Sequence, residues 1–90
     1  MHKIVIFNKE YHIKKSNRKN KKYDVFNANN KYITSYGDKR YQHFKDAFNE
    51  YSYLDHNDEK RRNSYKKRAE GIGNLDNPNS ANFWSYYFLW

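Results

Sequence analysis

KYDVFNANNKYITSY, residues 22–36, sets two β-rich runs on either side of Asn27-Ala28-Asn29-Asn30. Asparagine tolerates left-handed backbone, and Asn-rich turns of this kind close hairpins. Side chains alternate along a strand, so Tyr23 and Val25 share one face, as do Tyr32, Thr34 and Tyr36 on the returning strand. The stretch predicts a β-hairpin around which the rest of the chain must pack.

On its N-terminal side lies KKSNRKNKK, residues 14–22, with six cations and neither an acid nor an apolar residue. No element can bury such a run, so it reads as a basic linker. It separates an N-terminal arm or strand, residues 1–13, from a single small domain over 23–90. Within the arm, KIVIF at 3–7 clusters β-branched residues, as a strand or a docking segment would.

On the C-terminal side the period changes. Gly37 breaks the strand and Asp38 suits a helix N-cap. Tyr41, Phe44, Phe48 and Tyr51 then recur at helical spacing, predicting a helix over 38–53 with a core-facing aromatic stripe. A second helix begins at Asp58, with Glu59 in its first turn, and stops at Gly71. Between those signals only Tyr65 and Ala69 are apolar, four positions apart. A helix this polar must dock through a narrow seam or be ordered by an anionic partner. GIGNLDNPNS (71–80) is loop, and seven of the last eight residues are aromatic or Leu. That tail is too short to span a bilayer, and exposed it would form a large apolar patch, so it packs back on the domain. The elements add up to a small α+β domain with an N-terminal strand, a β-hairpin, two helices and an aromatic C-terminal segment.

Composition bounds the function. Ninety residues make one domain with a thin core, and the formal charge of +8 favours an acidic partner. Aromatic residues form 20% of the chain while Leu, Val and Ile are scarce, so Tyr, Phe and Trp must build the core. With no cysteine there are no disulfides or thiolate metal sites, and no Asn-x-Ser/Thr sequon points to secretion. The N-terminal apolar run is too short for a signal peptide or a membrane span.

Asp55, His56 and Asp58 hint at metal or acid–base chemistry. A stable site needs three or four placed ligands, though, and the neighbouring cations would repel a metal ion. Asp55 and Asp58 read instead as turn and cap residues, with His56 bonding locally. No Gly-x-Ser-x-Gly elbow or phosphate-binding glycine loop occurs, so no enzyme, metal or cofactor is expected. The charge points to nucleic-acid backbone, contacted by Lys14, Lys15, Arg18, Lys19, Lys21 and Lys22 in the first cluster. Lys60, Arg61, Arg62, Lys66, Lys67 and Arg68 supply the second. Phe83, Trp84, Tyr87, Leu89 and Trp90 serve as core or as a docking surface. The alternative is a minor capsid or cement protein gripping coat subunits through its N-terminal arm and aromatic tail.

YGDKRY (36–41) with FKD (44–46), LDHNDEKRRNSYKKR (54–68) and SANFWSYYFLW (80–90) together resemble a family of small uncharacterised proteins of large double-stranded DNA viruses and aquatic phages. The matching positions are Gly37 and Asp38; His56, Asp58, Arg61, Arg62, Tyr65 and Arg68; and Phe83, Trp84, Ser85, Leu89 and Trp90. Family members usually carry His after the arginine corresponding to Arg68, where this chain has Ala69, so a site using that imidazole would not operate here. The resemblance implies a viral setting, in the virion and inside the infected cell, and raises packaging and capsid roles.

Overall fold

A computed structural model describes residues 1–90. Strands β1 (His2–Ile6), β2 (Lys9–Lys15), β3 (Lys21–Asn27) and β4 (Tyr32–Asp38) form one antiparallel sheet in sequence order. Helices α1 (Glu59–Ile72) and α2 (Ala81–Phe88) follow, so the architecture is α+β. No helix is long and apolar enough to cross a membrane.

Asparagine makes the turns. Asn8, Asn20 and Asn30 each have positive φ, one in each hairpin connection. In the Asn27–Lys31 turn, Asn27 Oδ1 accepts from the backbone N–H groups of Asn29 and Lys31. The hairpin over 22–36 therefore forms as its sequence predicts, with one difference. A register shift after Val25 pairs Phe26 with Tyr32, so Tyr32 leaves the face it was expected to share with Tyr36. It packs on Phe26 instead, and Ile33 turns toward the core.

The 14–22 run is not a linker. Lys14 and Lys15 end β2, residues 16–20 turn, and Lys21 and Lys22 open β3. Alternation resolves the apparent conflict, because Lys14 projects from the sheet while its backbone pairs with Asp24. The N-terminal segment is likewise the edge strand of the same sheet.

No helix spans 38–53; only Ser52–Leu54 makes a single 3-10 turn. The buried Asp46 carboxylate takes the backbone N–H groups of Phe48 and Tyr51, and the Tyr23 hydroxyl, at the centre of the segment. An Asp that captures local amides competes with helical bonding. Distant partners satisfy other amides here: Lys45 N–H donates to Leu89 O and Ala47 N–H to Phe88 O. The second helix instead lies in the aromatic tail.

Tyr11, Ile13, Tyr23, Val25 and Tyr36 line the inner face of the sheet, and Phe83, Trp84 and Leu89 meet them. Trp84 is fully buried, stacked on Tyr36 with ring centroids 6.2 Å apart and edge-on to Tyr11 at 5.4 Å. Its indole N–H donates to Pro78 O, whereas the buried Tyr36 hydroxyl beside it has no hydrogen-bond partner. Phe48 from the loop stacks flat on Phe88 at 5.5 Å. The aromatic tail thus packs back on the domain.

Candidate nucleic-acid interface

The residues around His56 form a helix cap. Asp58 precedes α1 and accepts from the N–H groups of Lys60 and Arg61. Its own N–H donates to His56 Nδ1, which places the imidazole proton on Nε2. That ring packs between Phe44 and Trp90, and burial with the nearby Arg61 charge holds its pKa below the usual histidine value. Asp55 points elsewhere, to His43. Asp55, His56 and Asp58 therefore do three separate jobs and do not converge.

One face of α1 carries a cleft. Tyr65 and Trp90 stack nearly parallel at 4.3 Å and form its floor. Lys60, Arg61, Ser64 and Arg68 surround a hollow of 340 Å³ over this pair. A second hollow of 480 Å³ adjoins it, shares Tyr65, Arg68 and Trp90, and brings in Lys21, Tyr41 and Gln42 from the sheet side. Lys21, Lys60, Arg61 and Arg68 take part in no ion pair. Arg61 donates to Gln42 Oε1 at 2.9 Å, which ties the helix to the 39–51 loop. Two clusters distant in sequence thus present their free cations to one place.

The other expected contacts divide. Lys14 lies over Phe26, Lys15 over Tyr51, and Arg18 over Tyr32 with Asp24 at 3.7 Å; all three are exposed, as is Lys19. They sit on the β2–β3 hairpin and not in the cleft. Lys67 is exposed, and Lys66 lies half-buried against Tyr86. Arg62 is a brace: its Nε donates to Trp90 O at 2.8 Å, its guanidinium covers Phe44, and Glu59 lies at 3.6 Å. Of the aromatic tail, Phe83, Trp84 and Leu89 are core, Trp90 is half-buried on Tyr65, and Tyr87 is exposed.

Lys22 corrects the expectation of a phosphate contact, because it is only 1% exposed. Its ammonium donates to Tyr41 O at 3.0 Å and to His43 Nδ1 at 2.7 Å. An ammonium can only donate, so His43 Nδ1 accepts, and its Nε2–H bonds to Asp55. Burial lowers the Lys22 pKa to about 8, opposed by Asp46, Asp38 and Asp55. Burial and the Lys22 charge push His43 down as well. Lys22 and His43 of this Lys–His–Asp chain are sealed from solvent, Asp55 is partly exposed, and the chain supports the loop that carries Tyr41. The sequence offers no sign of it, since its members lie on separate segments. Tyr41 and Gln42 were also missed as cleft residues, because helical spacing assigned Tyr41 to a core stripe.

Residues 11–69 match DUF5754, a family of unknown function. The chain belongs to that family. The matched span runs from β2 through most of α1, so it holds Lys21, Tyr41, Arg61 and Arg68 but not α2. No curated protein and no solved structure matches the chain.

Proposed function

We propose that this is a non-enzymatic, virion-associated basic protein that binds nucleic-acid backbone. The observation that carries this reading is the convergence of Lys21, Lys60, Arg61 and Arg68, none of them ion-paired, on a single cleft. Unpaired cations exchange condensed counterions for phosphate, which gives affinity without base sequence. The motifs that resemble proteins of double-stranded DNA viruses supply the virion setting. A titration of random-sequence duplex binding against salt tests the reading. Engaging about four phosphates gives a log–log slope near −4, and replacing Lys21, Arg61 and Arg68 by Ala flattens it. Binding that ignores salt, or no binding, overturns the proposal.

A second reading has its own observation. Ile6, Phe7, Phe83, Tyr87 and Phe88 line an apolar hollow of 370 Å³ where the β1–β2 turn meets α2, with Phe7 64% and Tyr87 55% exposed. A minor capsid protein would grip a coat subunit there. Cross-linking in disrupted virions separates the two: capture by coat subunits through the Phe7 face supports this reading, and capture with the nucleic-acid core supports the first.

A further inference from the structure

We infer that the cleft is built for single-stranded nucleic acid, with Tyr41 as the platform on which a base stacks. The inference rests on the backbone-binding reading and names its substrate class. Four aromatic side chains line the hollows: Tyr36, Tyr41, Tyr65 and Trp90. Tyr36 is spent in the core between Tyr23 and Trp84, and Tyr65 and Trp90 occupy each other. Tyr41 alone packs on no other ring, and it is 63% exposed. The core does not account for this ring, whose cation–π neighbour is the exposed Arg40.

Its main chain is nevertheless fixed. Tyr41 N–H donates to Asp38 O at 3.1 Å, and its carbonyl receives the buried Lys22 ammonium. The Arg40 guanidinium, held by Asp38 through two hydrogen bonds, stands 5.5 Å from the ring centroid. A pre-positioned ring beside a cation suits a base on the ring and its phosphate on the charge, because every base has a π-face. Lys21 and Arg68 line the same hollow as Tyr41 and supply phosphate contacts there. The hollows, 340 and 480 Å³, fall in the general range of small-ligand sites. A duplex keeps its bases stacked inside and offers Tyr41 no ring face, so only an unpaired strand uses the whole cleft.

The test compares oligo-deoxythymidine, oligo-uridine and a duplex of equal length on the full chain. Tyr41→Ala is expected to weaken single-strand binding by roughly 5- to 150-fold, the measured worth of one stacked base. Duplex affinity, the salt slope and the melting temperature should stay where they were, and Tyr41→Phe should restore single-strand binding. Loss for both oligomers assigns the site to single strands generally, and loss for one assigns it to that sugar. An unchanged single-strand affinity in Tyr41→Ala overturns the inference. If Lys21→Ala with Arg68→Ala still weakens both substrates in that case, backbone binding survives without stacking. A wild-type chain that binds neither strand nor duplex overturns both readings.

Discussion

Lys21 and Lys22 are neighbours with opposite fates. Lys21 reaches solvent at the cleft, whereas Lys22 runs beneath Gly37 and ends on Tyr41 O and His43. Lys22→Met keeps the apolar stem but strands two acceptors, so chemical denaturation should show a loss of about 1–3 kcal/mol. Lys21→Ala should leave that curve alone and lower the salt slope of duplex binding by about one. The histidines separate just as clearly. Both His12 nitrogens face oxygen acceptors, and the Glu10 hydrogen bond raises its pKa. His43 and His56 are held below 6.5, chiefly by burial. An NMR titration should find His12 above that value and the other two below it. As pH falls through 6.5, the unfolded chain takes up protons that folded His43 and His56 refuse, so these two withdraw stability in acid. The His12 contribution runs the other way, present in acid and lost as pH rises through its folded value. His43→Gln should therefore lose stability overall yet show a shallower acid decline in thermal melts.

Among the elements, α1 is the most exposed to failure. Its buried surface is a seam through Ala69 and the half-buried Tyr65, as its sequence predicts, so it needs polar braces. Asp58 caps its start, and Asn82 Nδ2 donates to Ala69 O and Gly73 O at its end. Arg62 adds the clasp on Trp90 O. Arg62→Ala should cost about 1.5–3 kcal/mol in a denaturant melt, the range for a hydrogen bond from a charged group. Arg61→Ala, with only an exposed contact to Gln42, should leave the melt unchanged while weakening nucleic-acid binding. Adjacent arginines on a basic helix look alike in sequence, and which one faces the tail is decided by where α2 ends. The 38–53 segment teaches the converse. Its aromatic spacing is helical, yet the Asp46 side chain captures its amides and Asn49 takes a φ of 61°, so side-chain competition defeats periodicity.

For the molecule as a whole, stability rests on one aromatic layer between sheet and α2. Trp84 sits at its centre, touching Tyr11, Tyr36, Phe83 and Phe88. Trp84→Ala should lose about 3–5 kcal/mol in equilibrium unfolding, a large share of what a 90-residue domain possesses. What the sequence determined by itself was local. Asn-rich turns and β-branched runs specify the central hairpin and the N-terminal strand, Asp58 starts the basic helix, and scarce aliphatics commit the tail to the core. These follow from backbone preference and burial, which act within a few residues. The expected stop at Gly71 is overrun, and the helix is capped at Gly73 instead. Tertiary structure alone decided which cations are free. Lys22 is buried because β3 pairs with β4 beneath the 39–51 loop, and Lys21 and Arg68 line one hollow because α2 packs on β4 and α1 packs on α2. A charge run reports how many cations a chain has; only the packing of distant segments determines which of them remain unpaired.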